Sequence, residues 1–225
     1  MGETVQLTAR DGFEFSAYEA SPAGDTRGGV VVIQEVFGVN QHIREVCDGY
    51  AEAGYVAIAP ALFDRVETGI ELGYDMDDMT RGVGIARGEL DMENTLMDIQ
   101  AAVDYLSADG PVAVVGYCFG GLMTWLAACH AENVACASGY YGGGIIGFND
   151  QTPAVPTILH FGEKDAHIPM EDVRAIDEAH PDVAVYVYDA DHGFNCNHRD
   201  SYDADAAKLA RQRTLEFFES NLIGG

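Results

Sequence analysis

The chain has 225 residues, 48% of them apolar and 22% charged, which is ordinary for a globular protein that folds around its own core. Its charge is extreme, because 37 acidic residues stand against 12 lysines and arginines and give a formal net charge of −25 at pH 7. A surface of this sign repels nucleic acid and anionic membranes and excludes both as partners. Two interpretations of the acidity stay open, a well-hydrated surface and an adaptation to high salt.

The chain contains five cysteines, an odd number without any CxxC pair. They predict neither a disulfide framework nor a zinc site. Residues 1–10 lack a basic segment followed by an apolar core, and no run approaches the roughly 18 apolar residues of a membrane span. We therefore expect a protein without a signal peptide or a membrane span, located in the reducing cytoplasm.

The predicted elements alternate between short β-branched runs and longer helical patterns. Residues 4–8 and 13–18 alternate with period two, and Asp11 and Gly12 between them predict a hairpin turn. Residues 29–34 are a continuous apolar run, typical of a strand covered on both faces. Further strands are predicted at residues 55–59, 112–115, 134–140, 157–161 and 183–188. Helices are predicted at residues 43–53, 91–106, 120–130, 170–179 and 204–218.

The segment 62–89 is less regular, with five glycines among scattered acids. We interpret it as an excursion with some helix, forming a small cap within one domain that spans residues 1–225. Strands separated by helices predict parallel pairing with right-handed crossovers. The predicted fold class is therefore α/β, a doubly wound, mostly parallel sheet of about seven to eight strands with helices on both faces and an antiparallel start. Functional sites in such sheets lie at the carboxyl ends of the strands.

The most informative segment is VAVVGYCFGGLMTWL at residues 112–126. An apolar strand runs to Gly116 and a helix follows, so Cys118 occupies the nucleophile position of a G-x-nucleophile-x-G elbow. Gly116 and Gly120 remove side chains that would collide across the sharp turn. The amino end of the helix favours a thiolate, and the N–H of Phe119 is directed toward a developing oxyanion. Cys118 is therefore the candidate nucleophile.

A nucleophile at such an elbow is followed in the chain by an acid and then by a histidine. The segment GEKD follows one predicted strand and ends in Asp165, and the segment DADHGF follows the last strand and contains His192. We expect His192 to accept the thiol proton and Asp165 to orient its imidazole and stabilise the cation. Glu163 and Asp191 are rival acids. His167, in the same loop as the acid, is interpreted as a surface residue.

The loop after the strand at residues 29–34 begins with Glu35, Val36 and Phe37. Val36 is expected to supply the second oxyanion N–H. A carboxylate has a use beside a catalytic cysteine, because Glu35 could accept the thiol proton and hold the resting enzyme neutral until substrate displaces it. The alternative is that Glu35 is a surface acid that caps the following helix.

Several segments together match one known family. They are QEVFGVN at residues 34–40, ARGELDMEN at residues 86–94, GYCFGG at residues 116–121, GYYG at residues 139–142, the acid turn at residues 162–165 and DHGF at residues 191–194. In these segments the sequence resembles the dienelactone hydrolase family (carboxymethylenebutenolidases). The resemblance implies an α/β-hydrolase fold with a Cys-His-Asp triad, no cofactor and no metal, and hydrolysis of an unsaturated lactone to an oxo acid. It also implies the switch at Glu35.

In that family, arginines bind the substrate carboxylate. One lies in the middle of the chain, where Arg81 is the nearest match and Arg87 a rival. Another lies four residues after the triad histidine, a position that Cys196 occupies in this sequence. Either Arg199 replaces that arginine through a longer loop, or the carboxylate pocket is altered. In the second case Cys196 faces the pocket as an oxidisable thiol.

The sequence thus predicts a cysteine-dependent hydrolase of small lactones or esters, acting through a thioester as a monomer or a small homo-oligomer. Phe37 and Tyr140, from the matched segments, are placed on the substrate-binding surface with the arginines. An esterase or lactonase for a different, neutral substrate is the alternative, because a net charge of −25 disfavours anions. A second alternative is a hydrolase-fold protein that binds a small ligand without turnover, although the complete set of catalytic residue types argues against it.

Overall fold

The computed structural model describes residues 2–108 and 110–222, and their strands form a single eight-stranded sheet. The strands are β1 (Glu3–Thr8), β2 (Glu14–Ala20), β3 (Gly29–Ile33), β4 (Val56–Pro60), β5 (Val112–Tyr117), β6 (Val134–Tyr140), β7 (Thr157–Gly162) and β8 (Ala184–Tyr188). The α-helices are α1 (Gln41–Glu52), α2 (Met76–Gly84), α3 (Met92–Ser107), α4 (Phe119–His130), α5 (Met170–Ala179) and α6 (Ala204–Leu222). The order of strands in the sheet is β1-β2-β4-β3-β5-β6-β7-β8.

The sheet begins with the predicted hairpin. β1 pairs antiparallel with β2, from Glu3 opposite Glu19 to Thr8 opposite Glu14. Gly12 in the turn has a φ of 87°, a conformation that glycine adopts without strain. β2 is also antiparallel to β4, and from β4 onward all neighbouring strands pair in parallel. The doubly wound, mostly parallel α/β sheet with an antiparallel start is therefore confirmed.

The central strands are buried on both faces, as a parallel sheet between two layers of helices requires. Every residue of β3, β5 and β7 is buried. β8 lies at the edge of the sheet opposite β1, and Tyr188 is the one buried residue of this strand. The apolar run at residues 29–34 therefore reflects a strand that is shielded from water on both sides.

Two helix layers cover the sheet. α1 and α6 meet on one face, where Arg211 donates to the carbonyl oxygen of Gly49 at 2.6 Å and the rings of Tyr50 and Phe218 lie 6.0 Å apart. α3 and α4 contact each other and cover the opposite face. Among the described residues, no helix combines the length and apolar character needed to cross a membrane.

The segment between β4 and α3 combines a 3₁₀ turn (Leu62–Arg65), α2 and a π-helical turn (Ile85–Glu89). Arg65 ties this segment to the sheet domain, because its guanidinium donates two hydrogen bonds, of 2.6 and 2.8 Å, to the fully buried Asp98 of α3. Gly82 of α2 packs so closely on the carbonyl oxygen of Val36 that a Cβ there would collide with it. This contact holds α2 over the loop that follows β3.

Candidate active site

The elbow between β5 and α4 places Cys118 at the carboxyl end of the sheet. Cys118 has a φ of 55° and a ψ of −113°, a conformation that strains any residue other than glycine. A Cβ on Gly116 would collide with the carbonyl oxygen of Gly120, and a Cβ on Gly120 with that of Ile33. The N–H of Cys118 donates to the carbonyl oxygen of Tyr140 at 3.0 Å. The two glycines thus allow the turn, and the hydrogen bond to β6 holds it.

Cys118, His192 and Asp165 form a continuous hydrogen-bonded chain. Nε2 of His192 lies 3.1 Å from Sγ of Cys118, and Nδ1 lies 2.7 Å from Oδ2 of Asp165. The second carboxylate oxygen of Asp165 accepts the backbone N–H of His167 at 2.8 Å. The Asp165 side chain is fully buried, the His192 side chain is 11% exposed and the thiol residue is half-buried. Such a chain can activate a nucleophile, because the acid fixes the ring and the ring reaches the sulfur.

The pKa of His192 responds to both neighbours. Burial lowers this pKa, but the hydrogen bonds and negative charges of Asp165 and Cys118 outweigh burial and raise the pKa to about 10. The imidazole is therefore protonated at neutral pH as long as the sulfur carries a charge. The positive end of the α4 dipole lies at Cys118, the residue before the first helical turn, where it stabilises negative charge.

The rival acids do not reach the imidazole ring. Oδ1 of Asp191 accepts the backbone N–H of His192 at 2.6 Å, and Glu163 is exposed to solvent. The buried ring of Tyr141 lies 5.1 Å from the imidazole, measured between centroids. The geometry thus favours Asp165 as the partner of the histidine, with Tyr141 packed beside the ring.

Two backbone N–H groups are available beside the sulfur. Val36 and Phe119 line the same cavity as Cys118. Phe119 is the first residue of α4, so its N–H has no acceptor within the helix. The N–H of Val36 forms no hydrogen bond within the part of the chain that the structure describes. A pair of free donors at a nucleophile is the arrangement that stabilises an oxyanion.

Glu35 does not line the cavity and is 1% exposed, and its Oε1 is buried without a hydrogen bond to any described residue. Nη1 of Arg199 lies 3.7 Å from this oxygen. The Cys118 thiol is hydrogen-bonded to His192, so the carboxylate and the sulfur are not joined in this conformation. The cap of α1 is Asn40, whose side chain accepts a helix N–H, and Glu35 does not serve as that cap.

A cavity of about 280 Å³ opens at the Cys118 thiol. One wall is apolar and consists of Met79, Val83, Met92 and Leu122. Two cations, Arg87 and Arg199, also line the cavity. A mostly apolar cleft with a few polar groups is typical of a site for a small molecule.

The predicted substrate-binding residues separate into two groups. Phe37 and Arg199 line the cavity, and the guanidinium of Arg199 lies 5.7 Å from the centre of the Phe37 ring. Arg81 is turned away from the cavity and forms an exposed ion pair with Glu67, whereas its rival Arg87 lines the cavity. Of these two arginines, Arg87 is therefore the one that lines the cavity, and its role in binding substrate stays a prediction.

Tyr140 and Cys196 do not line the cavity either. The Tyr140 side chain is buried, and its hydroxyl lies 2.7 Å from the hydroxyl of Thr214 on α6. Cys196 is buried, with Sγ donating to the hydroxyl of Tyr74 at 3.3 Å. Tyr140 therefore contacts the elbow only through its carbonyl group, and Cys196 is enclosed next to Tyr74.

Some cavity residues were not anticipated from the sequence. His167, expected on the surface, is exposed but also lines the cavity, with its ring 5.4 Å from that of His192. Met79 and Val83 lie four residues apart on α2, and their helical spacing was a usable signal for one face of this helix. Gly143 and Gly144 carry no comparable signal.

Comparisons with known proteins show the family to which the chain and its fold are similar. The model of the dienelactone hydrolase family matches residues 15–222. The chain is 33% identical to carboxymethylenebutenolidase 1 of Cupriavidus pinatubonensis, covering 96% of each chain. It is 34% identical to the carboxymethylenebutenolidase of Pseudomonas sp. strain P51, covering 96% of this chain and 94% of the relative. A crystal structure from Klebsiella pneumoniae, named "Putative Dienelactone Hydrolase", superposes with a TM-score of 0.83 at 28% identity, covering 96% of this chain and 98% of the other.

Proposed function

We propose that this chain, which belongs to the dienelactone hydrolase family, hydrolyses its substrate through a thioester formed on Cys118. The chain is a hydrolase that acts on esters or lactones. Beyond this activity, we propose that Cys118 is the nucleophile, that His192 and Asp165 assist it, and that the intermediate is a thioester. It depends chiefly on one observation, the 3.1 Å approach of Nε2 of His192 to the sulfur with Asp165 hydrogen-bonded behind the ring.

In the first step the thiolate of Cys118 attacks the carbonyl carbon and forms a carbon–sulfur bond. The carbonyl oxygen takes the electron pair, and the N–H groups of Val36 and Phe119 stabilise its negative charge. When the carbonyl re-forms, the carbon–oxygen bond of the ester breaks and the leaving oxygen takes a proton from His192. The products of this step are a thioester and a ring-opened or released oxygen group.

In the second step His192 acts as a base. The thioester removes the negative charge of the sulfur, which is one cause of the high pKa of the imidazole. The imidazole can then be neutral at physiological pH and accept a proton from water, with Asp165 stabilising the resulting cation. Hydroxide attacks the thioester carbon, the carbon–sulfur bond breaks, and the acid and the Cys118 thiolate are regenerated.

Glu35 takes the role of a switch in this proposal. Two separate contacts support this role, because the buried carboxylate lies beside Arg199 and the sulfur is hydrogen-bonded to His192. A rotation of the carboxylate toward the sulfur would let it accept a hydrogen bond from the neutral thiol and keep the sulfur protonated, while His192 stays neutral. Arg199 stabilises the position away from the sulfur by charge attraction across 3.7 Å.

The two cations of the cavity favour a lactone that carries a carboxylate. Arg87 forms no hydrogen bond or ion pair with the residues that the structure describes, and its side chain is exposed where it lines the cavity. An unsaturated lactone suits a cysteine nucleophile, because ring opening releases a delocalised enolate that leaves easily and becomes an oxo acid. We therefore favour a small unsaturated lactone with an anionic substituent as substrate.

A neutral ester or lactone is the second candidate. The apolar wall of Met79, Val83, Met92 and Leu122 can hold an uncharged group. Arg199 is also partly neutralised by Glu35, which leaves Arg87 as the cation free to bind a carboxylate. Rates for a matched pair of lactones, with and without the carboxylate, distinguish the two candidates.

The mechanism is tested by Cys118→Ala. We expect hydrolysis of a dienelactone and of an aryl ester to fall by at least about 10³-fold, because the covalent route is lost. An acid-quenched reaction of the unmodified protein should contain an acyl adduct on the peptide with Cys118, visible by mass spectrometry.

Cys129→Ser is the matched control, because Cys129 is half-buried on α4 and does not line the cavity. It should retain normal rates. Undiminished turnover by Cys118→Ala, or an adduct on another residue, would contradict the proposed mechanism.

A further inference from the structure

A cluster of side chains that can bind a metal lies outside the cavity of the proposed reaction. His42 and Glu45 are three residues apart on α1 and share a face of this helix, and His198 lies in the loop between β8 and α6. One ligand atom from each of the three lies within 4.8 Å of the others. Nε2 of His198 is 2.7 Å from Oε2 of Glu45, and the two imidazole rings lie 5.8 Å apart.

His42 distinguishes this cluster from an ordinary surface ion pair. The residue is 3% exposed, and neither of its buried ring nitrogens forms a well-aligned hydrogen bond with a described residue, the side chain of Asn197 being only a weak hydrogen-bonding neighbour. A buried polar group without a partner costs about 1–3 kcal/mol and calls for an explanation. A ligand for one of the ring nitrogens supplies that explanation.

We propose that His42, Glu45 and His198 bind a divalent transition-metal ion of the Zn²⁺ type. Two imidazole nitrogens and one carboxylate oxygen are ligands that Zn²⁺ prefers, with water completing the tetrahedron. The side chains of His198 and Glu45 are 29% and 42% exposed, so they can exchange their mutual hydrogen bond for bonds to the ion. A formal net charge of −25 raises the local concentration of cations at the surface.

A second set of ligands, which also contains His42, is a poorer site. Its other members, Glu35 and Cys196, are buried, and the ligand atoms of the three lie within 4.8 Å of one another. The guanidinium of Arg199, 3.7 Å from Oε1 of Glu35, repels a cation from that set. The proposed site instead adjoins a cavity of about 400 Å³, lined in part by His42 and Glu45, through which an ion can enter.

The position of the site gives the ion a structural role. His198 is six residues after His192 and directly precedes Arg199, so one loop carries a metal ligand, the proposed base and the partner of Glu35. α1 supplies the other two ligands. The ion thus joins α1 to the loop that carries His192.

The test is calorimetric titration of Zn²⁺ into chelator-treated protein without a histidine tag. A Cys118→Ser background removes the proposed active-site thiol as a competing ligand. We expect one ion per chain, a higher melting temperature with Zn²⁺, and a loss of affinity of more than about tenfold in His198→Ala, His42→Ala and Glu45→Gln. His130→Ala is the matched control and should leave affinity unchanged, since His130 is an exposed histidine that bonds Gln151.

His198→Ala and Glu45→Gln alter partly exposed side chains, so they keep the test informative even where His42→Ala fails to fold. The proposal is overturned by an absence of Zn²⁺ binding, or by unchanged affinity in His198→Ala.

Spectroscopy with Co²⁺ provides a separate readout. A sulfur-to-cobalt absorption band that disappears in Cys196→Ser would assign the ion to the second set and would also overturn the proposal.

Discussion

At the scale of single residues, the position of the Cys118 sulfur is determined by the backbone around it. A residue with φ of 55° carries strain of about 1–3 kcal/mol, and it persists only where its surroundings leave no alternative. The close contacts at Gly116 and Gly120 and the hydrogen bond to Tyr140 provide those surroundings. The sulfur is therefore fixed relative to the neighbouring N–H groups before any substrate arrives, which is the preorganisation that oxyanion stabilisation requires.

Asp165→Asn tests the electrostatics of His192. The thiolate–imidazolium pair exists only while the imidazole is protonated, so the reactive form is lost as the pH rises through the His192 pKa of about 10. The Asp165 carboxylate raises this pKa, and its neutralisation should lower it. We expect the alkaline limb of the pH profile of kcat/KM to move to lower pH in Asp165→Asn. Asp191→Asn is the control, because it alters only a contact with the backbone of His192. If the alkaline limb stays at the same pH in Asp165→Asn, Asp165 is not the acid that raises the His192 pKa.

At the scale of elements, the segment between β4 and α3 shapes the entrance to the cavity. α2 contributes Met79 and Val83, and the π-helical turn after it contributes Arg87. Arg81 lies on α2, and Arg87 lies six residues later on the π-helical turn, so the two side chains do not share one helical face. One of the two can therefore face the cavity while the other faces solvent. The contact of Gly82 with Val36 orients the segment so that Arg87 lines the cavity.

Arg87→Met tests this orientation of the segment. For a lactone with a carboxylate, kcat/KM should fall by about tenfold, equivalent to about 1.4 kcal/mol for a lost charge-assisted contact. The rate for the matching neutral lactone should change little. Arg81→Met removes the same charge from the exposed pair with Glu67 and should leave both rates near normal. Equal losses for both lactones in Arg87→Met would show that this arginine does not bind the carboxylate.

At the scale of the whole molecule, the charge of −25 opposes folding through repulsion among carboxylates. The described ion pairs offset little of this repulsion, because many of them are exposed, such as those of Arg10, Arg81 and Lys164. Repulsion between exposed charges is the part of the electrostatic energy that dissolved salt screens most effectively.

Salt should therefore stabilise this protein. We expect the melting temperature to rise as KCl increases from about 0.05 M to about 1 M, where the Debye length has fallen to about 3 Å and screening is nearly complete. Scanning calorimetry at fixed pH measures the change. A further rise above about 1 M favours adaptation to high salt, a plateau favours a hydrated acidic surface, and a melting temperature that falls with KCl would contradict the role assigned to repulsion.

Much of the fold and of the candidate site could be predicted from the sequence. Buried parallel strands leave continuous apolar runs, so β3, β6 and β7 were predicted within a residue or two of their ends. The elbow at Cys118 was predictable because the sharp turn demands glycine at two fixed positions. The order of nucleophile, acid and histidine placed Asp165 and His192 at strand ends that meet at one edge of the sheet.

Other features depended on side-chain directions and contacts between distant segments, which local patterns do not encode. The sequence by itself determined the strand–helix order, the elbow and the candidates for acid and base, since turns and buried strands restrict residue types locally. Only the tertiary structure decided that Arg87 rather than Arg81 faces the cavity, that Arg199 pairs with Glu35, and that Cys196 is enclosed. It also brought His198 to α1, because the loop before α6 packs across a helix about 150 residues earlier in the chain.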